Sequence, residues 1–293
     1  MYEVIFLFVL AFIWIAFAVV QDLKKREISN WLNFSLITFA LVFRFFYSVF
    51  SENFNFFFQG LIGFGIFLVL GNIFYYGRVF AGGDAKLMIA LGAVLPFSNI
   101  FLDNLKIFIL FLILFLFFGA FYGLIWSVVL TCKNFRNFKK EFAKQLEKNK
   151  FILYSVILVG FCFIILSVFL NFLSFFGLFL FLICFVYLYA KSVDEVCMVK
   201  KIKTSDLTEG DWLYKDLKLG RKIIKANWEG LSENEIKLIK KKYKIVLIRQ
   251  GIPFAPVFLI SFLVLFYLWA TGLWNSFWQP YFFFYFFGFG FFH

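Results

Sequence analysis

Two aspartates stand directly beside apolar segments of this chain, and they are its first candidates for chemistry. Asp22 follows the apolar run of residues 2–20 in the segment "QDLKKREISNWL", and Asp84 follows two glycines in the segment "AGGDAKL". Placing a carboxylate where a helix enters a bilayer costs several kcal/mol unless something compensates for it. Both residues are therefore candidates for a functional site.

A pair of carboxyl groups within hydrogen-bond reach shares one proton, because two like charges so close do not both ionise readily. In peptide hydrolysis the ionised group takes a proton from the attacking water, while the protonated group donates to the scissile carbonyl oxygen. Gly82 and Gly83 would let a substrate backbone approach and would permit unusual dihedral angles. A helix dipole at Asp84 would favour its ionised form. We therefore hypothesise that Asp84 is the more acidic member of the pair and that Asp22 holds the shared proton.

Plainer interpretations of the same residues stay open. Gly-Gly-Asp before a helix is also an ordinary turn with an N-cap, and Asp22 could be a solvated residue at the end of a membrane helix. Other catalytic chemistries have little support. The single histidine is the last residue, His293, and the four cysteines show no CxxC spacing. We therefore expect no metal site, disulfide framework or cofactor.

The elements that must position the two acids are membrane helices. The chain has 293 residues, of which 63% are hydrophobic and only 16% charged. Apolar runs of about 20 residues, enough to cross a bilayer, recur along it. We predict an all-α polytopic membrane protein with about eight transmembrane helices and a small cytoplasmic insertion of α/β type. The predicted spans are 2–20, 31–50, 56–77, 84–101, 105–130, 151–170, 172–190 and 253–274.

These spans divide the chain into five predicted parts. A membrane core that carries both aspartates is followed by a basic cytoplasmic segment, a helical membrane hairpin, a cytoplasmic domain, and a last span with an apolar tail. Their limits are 1–131, 132–150, 151–190, 191–250 and 251–293. The spacing of phenylalanines in 132–150 favours an amphipathic helix on the membrane surface, with a plain basic loop as the alternative.

Local signals refine the second half of the chain. Ser232 and Glu235 have the spacing of a capping box and predict a helix in the cytoplasmic domain. Pro253 and Pro256 forbid an ordinary helix start before about residue 256. The tail, "YFFFYFFGFGFFH", is about half a span long and is expected at the membrane interface or packed on the helix bundle.

The distribution of basic residues predicts the orientation. If Met1 is outside the cell, 27 of the 29 lysines and arginines lie in cytoplasmic segments, and Arg44 and Lys106 are the two that do not. Basic residues prefer the cytoplasmic side, so we predict a multi-pass protein of the plasma membrane with its N-terminus outside. Asp22 and Asp84 then lie at the same cytoplasmic face, although neither was used to set the orientation.

The two segments resemble the motifs of type IV prepilin peptidases, a family of membrane aspartic peptidases, and in particular the archaeal prepilin and preflagellin peptidases. In the first segment the matching residues are Asp22, Arg26, Ile28 and Asn30. The second is similar to the Gly-x-Gly-Asp motif, with Gly83, Asp84 and Lys86 on the pattern. The chain departs from the family at Ala81, where a glycine is expected, and at Ser29, where a proline is common.

The resemblance implies an endopeptidase that removes the short basic leader of pilin-like or archaeal flagellin precursors at the cytoplasmic membrane face. The site residues expected from it are the catalytic acids Asp22 and Asp84, with Gly82, Gly83 and Lys86 around them. Glu27 and Asn30 are candidates for substrate contact. The loop with paired CxxC motifs found in bacterial members is absent, so no methyltransferase activity is expected. The expected partners are these precursors and the lipid bilayer, without nucleic acid.

Two other functions remain alternatives. A non-catalytic membrane component of a pilus or secretion machine would tolerate the loss of either acid. An ion-coupled transporter would place its acids near the bilayer midplane, often with an inverted repeat, and neither feature is visible in the sequence.

Overall fold

The structure is a computed structural model that describes residues 2–219 and 222–278. It divides into two compact units, Met1–Tyr122 with Ile252–His293, and Gly123–Gly251. The apolar tail from residue 281 onward, for which the sequence predicts an interfacial or packed position, lies outside the described residues.

The first unit is a helix bundle. Its elements are α1 (Tyr2–Lys25), α2 (Asn30–Phe50), α3 (Asn55–Tyr76), α4 (Gly82–Gly92), most of α5 (Phe101–Lys133), α10 (Ala255–Ala270) and a 3₁₀ helix at Leu273–Trp278. The start of α10 at Ala255 agrees, to within one residue, with the limit that the two prolines set.

Helix α1 shows how the bundle forms. Its buried residues repeat every three or four positions, as a helix with one packed face requires, and they are Val4, Leu7, Ala11, Ile15, Ala18 and Asp22. Its other faces expose large apolar side chains such as Phe6 and Phe17. A helix that is apolar all round and packed on one side only is typical of a protein embedded in lipid.

The predicted count of eight spans is not confirmed. Within the described residues, five helices are long and apolar enough to cross a membrane: α1, α2, α3, α5 and α8 (Leu173–Val196). The count rises to six if α6 (Phe135–Lys148) and α7 (Lys150–Leu166) are taken together as one broken span. These two helices are bent by 73° at their junction. Helix α10 is apolar but shorter, with 16 residues.

The predicted continuous helix over 84–101 is wrong. Helix α4 has 11 residues and ends at Gly92, and residues 93–100 are not helical. An 11-residue helix is only about 16 Å long, too short to cross a bilayer. Pro96 contributes to this ending because it has no N–H to continue the helical hydrogen bonds.

The second unit contains a helical part. Helices α7 and α8 approach closely where two glycines face each other, since a Cβ on Gly177 would lie 2.7 Å from the carbonyl oxygen of Gly160. The basic segment 132–150 is indeed helical, as α6. The buried Phe138 of its apolar side packs with Val193 and Cys197, at the end of α8. The apolar side of α6 is therefore covered by protein at this point.

A small α/β domain completes the second unit. Its elements are β1 (Val199–Lys203), a 3₁₀ turn (Thr204–Asp206), β2 (Trp212–Leu213), β3 (Leu217–Leu219), β4 (Lys222–Ile224), α9 (Glu233–Lys242) and β5 (Ile245–Arg249). One antiparallel sheet has the order β1-β5-β2, with Arg249 opposite both Val199 and Trp212, and β3 pairs with β4.

The predicted capping box starts α9. The carboxylate of Glu235 accepts the backbone N–H of Ser232 at 3.0 Å, which satisfies a donor that the helix leaves free. The buried residues Ile236 and Ile239 of α9 pack against Val246 and Ile248 of β5. The prediction of a few strands and at least one helix in this part of the chain is confirmed.

Candidate active site

Asp22 lies on the packed face of α1, in its last turn. It continues the stripe of buried apolar residues and is 6% exposed. The alternative interpretation, a solvated residue at the end of a membrane helix, therefore does not apply to it. The carboxyl group is instead directed into the bundle, where it needs partners.

The partner of Asp22 is the beginning of α10. Its Oδ2 accepts the backbone N–H of Ala255 at 2.9 Å. The first N–H groups of a helix have no partner within the helix, and the positive end of the helix dipole favours a negative group there. Asp22 thus provides from another part of the chain the cap that Phe254, the local N-cap residue, does not provide.

Sequence reasoning missed this contact. A weak signal exists, because none of the residues in "GIPFA" is a Ser, Thr, Asp or Asn that could cap α10. That absence indicates that the cap comes from elsewhere, but it does not tell from where.

Asp84 lies in the first turn of α4. Burial, and next to it the negative charge of Asp22, raise the pKa of Asp84 to about 7. The two carboxyl groups are therefore brought together closely enough to interact. The sequence hypothesis expected the helix dipole to make Asp84 the more acidic of the two, but at this position burial outweighs the dipole.

The turn before Asp84 explains one departure from the family motif. Ala81 is the N-cap residue of α4, with φ −69° and ψ 160°. This is extended backbone that any residue adopts, so an alanine is no obstacle at the position where a glycine is expected. Ala81 also accepts the backbone N–H of Ala85 at 3.1 Å, the first hydrogen bond of the helix.

Only one of the two glycines is required by a close approach. A Cβ on Gly83 would lie 3.3 Å from the Cβ of Ile28, whereas a Cβ on Gly82 would meet nothing nearer than 3.7 Å, at Tyr75. Neither glycine has a positive φ, so the unusual dihedral angles expected from the sequence are not present. Gly83 lets the start of α4 pack against Ile28, which is buried and belongs to the other motif.

The loop after Asp22 holds its shape by hydrogen bonds. Arg26 has φ 60° and donates its backbone N–H to the carbonyl of Asp22 at 2.9 Å, which closes α1. Ser29 donates its N–H to Oε1 of Gln21 at 3.0 Å. A proline at position 29 would lack this N–H, so the serine replaces the stiffness of a proline ring by a hydrogen bond.

Two residues that were not proposed as site residues from the sequence have electrostatic interactions with Asp22. They are Arg26, which the sequence placed only within the motif, and Tyr122 on α5. The positive charge of Arg26 and the N–H of Ala255 both stabilise a negative charge on Asp22. The charged group that acts on Asp84 is Asp22, whose negative charge disfavours ionisation of Asp84.

Lys86 and Asn30 connect the two motifs. The Nζ of Lys86, on α4, donates to Oδ1 of Asn30, the first residue of α2, at 2.6 Å. Glu27 is exposed and forms no hydrogen bond or ion pair with another described residue. Of the two candidates for substrate contact, Asn30 is thus hydrogen-bonded to Lys86, while Glu27 is exposed on the surface.

The described residues contain no group of three or more His, Cys, Asp or Glu side chains arranged to hold a metal ion. The chemistry that Asp22 and Asp84 can support is acid–base chemistry by two carboxyl groups.

Comparison with known proteins agrees with the motifs. Residues 9–128 match the type IV leader peptidase family. A preflagellin peptidase of Methanocaldococcus jannaschii is 33% identical over 92 residues, which are 31% of this chain and 39% of that protein. A preflagellin peptidase of Methanococcus maripaludis is 32% identical over 79 residues, 27% of this chain and 34% of that protein.

These alignments span well under half the length of each relative. No solved structure shows a significant match to the chain. The resemblance found in the two motifs is confirmed for the part of the chain that contains them: residues 9–128, with both Asp22 and Asp84, match the type IV leader peptidase family.

Proposed function

We propose that this protein is a membrane aspartic endopeptidase that removes the short leader from pilin-like or archaeal flagellin precursors. The observation that carries the proposal is the pairing of two carboxyl groups, the buried Asp22 and the half-buried Asp84, from the two motifs that lie within residues 9–128. The relatives named above are preflagellin peptidases, which supports a precursor of this class as substrate.

The environment of the pair suggests a division of roles. Asp22 accepts an N–H and interacts with the positive charge of Arg26, so we assign it the ionised state and the role of general base. Asp84, whose pKa is raised to about 7, keeps the shared proton and acts as the general acid. This order is the reverse of the one expected from the sequence.

The reaction then follows from these roles. Asp22 takes a proton from a water molecule while the water oxygen attacks the scissile carbonyl carbon. At the same time Asp84 donates its proton to the carbonyl oxygen. When the tetrahedral intermediate collapses, the carbon–nitrogen bond breaks and the leaving amine takes up a proton from Asp22. Asp84 recovers its proton from the hydroxyl group of the intermediate, so the pair returns to its starting state.

The orientation supports a site at the cytoplasmic face, because Asp22 and Asp84 lie next to the basic segments that prefer that side. The leader of such precursors is basic, and the face around the site is basic too. Long-range attraction therefore does not explain recruitment, and we propose that the apolar helix of the precursor docks among the membrane helices by packing.

The test is cleavage of a candidate precursor in membranes, followed by the shift in gel mobility when the leader is lost. Asp22→Asn and Asp84→Asn should each abolish cleavage while the protein still inserts at the normal level. Asp103→Asn, an acid outside the pair on α5, is the matched control and should cleave normally. Full activity of either variant of the pair would exclude the dyad, and a non-catalytic assembly component would then be favoured.

A further inference from the structure

Arg44 is a charged side chain in the interior of the first helix bundle. It lies on α2, is fully buried at 0% exposure, and is the largest of the fully buried side chains. In the described part of the chain, no ion pair joins it to a carboxylate. An arginine in a membrane helix is expensive to keep and usually has a function.

Backbone carbonyl groups take the place of a counter-ion. The Nε of Arg44 donates to the carbonyl oxygen of Ala93 at 2.8 Å, and Nη2 donates to those of Val94 and Pro96 at 3.0 and 2.6 Å. The fourth bond runs from Nη1 to the carbonyl of Phe56 at 3.0 Å. Three of the four acceptors therefore follow directly after the end of α4 at Gly92.

The bundle is shaped to hold this guanidinium. Its Cζ lies 4.3 Å from the centre of the Phe56 ring, a cation–π contact. Gly60 makes room for the side chain, since a Cβ there would lie 2.4 Å from Cδ and 2.9 Å from Nε of Arg44. The side chain of Arg44 thus fills the space that a side chain at position 60 would need.

The hydrogen bonds of Arg44 satisfy carbonyl groups just after the end of α4. The last carbonyl groups of a helix, and the irregular chain that follows, have no partners within the helix and carry partial negative charge. A guanidinium with five N–H donors satisfies several carbonyl oxygens at once, which a lysine ammonium cannot do with the same geometry. Arg44 therefore fixes the place where α4 ends.

The rest of α4 is held close to α3 by small residues. A Cβ on Gly63 would lie 2.4 Å from the carbonyl oxygen of Gly92, and one on Gly71 would lie 2.6 Å from Cγ1 of Ile89. Close contact of this kind allows little sliding of one helix along the other. Because α4 is a single short helix of 11 residues, a shift at the end bound by Arg44 also moves the first turn, where Asp84 lies.

We propose that Arg44 is a positioning residue for Asp84, acting through the short helix α4. This inference rests on the proposed function, since it assigns to Arg44 the task of holding one of the two acids in place. Its four hydrogen bonds link α2 and the start of α3 to the end of α4. The same role explains why a charge is kept at a buried place remote in sequence from both motifs.

The first variant is Arg44→Lys, measured on the full chain in membranes or detergent. The charge stays, but the fork of donors is lost, so α4 should shift slightly and displace Asp84. We expect kcat for leader cleavage, per folded enzyme, to fall about 10- to 100-fold, because small misplacements of catalytic groups cost rate steeply. The KM should change little, since the proposed docking of the precursor does not involve this side chain.

A second variant keeps the arginine. Gly60→Ala places a methyl group against Cδ and Nε of Arg44, which displaces the guanidinium without removing its charge. It should reproduce the loss in kcat, and it tests the proposal even if Arg44→Lys does not fold. Unchanged kcat per folded enzyme in both variants, with only a lower yield, would overturn the proposal, because Arg44 would then serve stability alone.

The matched control is Ser48→Ala. Ser48 is fully buried on the same helix, one turn further on, and its hydroxyl oxygen accepts the N–H of Phe57, on α3. The change removes a partly buried hydrogen bond between α2 and α3 without touching α4. It should reduce stability and leave kcat unchanged, whereas an equal loss of kcat here would show that general loosening of the bundle is the cause.

Amide hydrogen exchange separates this proposal from the proposed function. Arg44→Lys should speed exchange over the whole of α4, including the turn with Asp84, while Ser48→Ala should not. If the wild-type protein cleaves no precursor, the proposed function fails, but this measurement still decides on Arg44. Unchanged exchange in α4 would overturn the positioning role in either case.

Discussion

The carboxylate of Asp22 accepts the backbone N–H of Ala255 at 2.9 Å, across 233 positions of the chain. One residue thereby performs two tasks: it caps α10, and it provides one of the two carboxyl groups of the candidate active site. The N–H donor and Arg26 both stabilise a negative charge on Asp22, which is why we propose Asp84 as the member that holds the shared proton. The capping role of Asp22 is therefore compatible with the proposed catalytic role.

The two tasks of Asp22 can be separated by two substitutions. Asp22→Asn keeps an oxygen that can accept the N–H of Ala255, whereas Asp22→Ala does not. Both should abolish cleavage, but only the alanine variant should also lose about 0.5–2 kcal/mol of folding stability, the usual cost of a lost cap. Thermal unfolding followed by tryptophan fluorescence measures the difference. Equal unfolding temperatures of the two variants would contradict the capping role.

Cleavage should depend on pH through the proton shared by the pair. The general acid Asp84 must be protonated, and its pKa is raised to about 7, so kcat/KM should fall on the alkaline side as this proton is lost. On the acid side, the rate should fall when Asp22 is protonated and can no longer act as base. Initial rates of leader removal across pH give the profile. A rate that still rises well above neutral pH would be incompatible with these roles.

Asp84→Asn should stabilise the protein while removing its activity. In the folded protein the pKa of Asp84 is about 7, above the value of about 3.9 in an unfolded chain. Between these two values the folded state binds more protons than the unfolded state, so stability falls as the pH rises. The asparagine variant does not titrate and escapes this loss. Its unfolding temperature should therefore exceed that of the wild type at mildly alkaline pH.

The pH dependence of this gain is the stricter part of the test. The difference in unfolding temperature between Asp84→Asn and the wild type should narrow as the pH is lowered from about 7 to below about 4, where Asp84 becomes protonated in both states. Asp103→Asn serves as the control, because Asp103 lies 3.6 Å from Lys106 and is partly exposed. A gain of similar size in that control would assign the effect to net charge instead of to burial.

The two glycines before Asp84 should differ in their tolerance of a side chain. Gly83→Ala brings a methyl group to 3.3 Å from the Cβ of Ile28, so the start of α4 must move by a few tenths of an ångström. We expect kcat/KM to fall about three- to tenfold, since this movement displaces Asp84 directly. Gly82→Ala meets only an ordinary contact and should stay close to the wild type. The leader-cleavage assay compares the two, and equal losses would refute the distinction.

Local patterns in the sequence were enough to predict several elements and both candidate acids. Runs of apolar residues predicted α1, α2 and α3 to within a few residues, and the pair Ser232 and Glu235 predicted the start of α9. These signals work because helix formation and membrane insertion depend on neighbouring residues. The same holds for the two motifs, whose match to the type IV leader peptidase family needed only residues 9–128.

Tertiary structure decided what depends on partners far along the chain. The helix predicted over 84–101 ends at Gly92, where Arg44 takes over the carbonyl groups that a longer helix would have paired. Asp84 keeps its proton more readily than the helix dipole suggested, because burial and Asp22 act on it together. Sequence alone determines which residues can bind or titrate, but their pairing depends on unsatisfied polar groups that only the packed helices bring within reach.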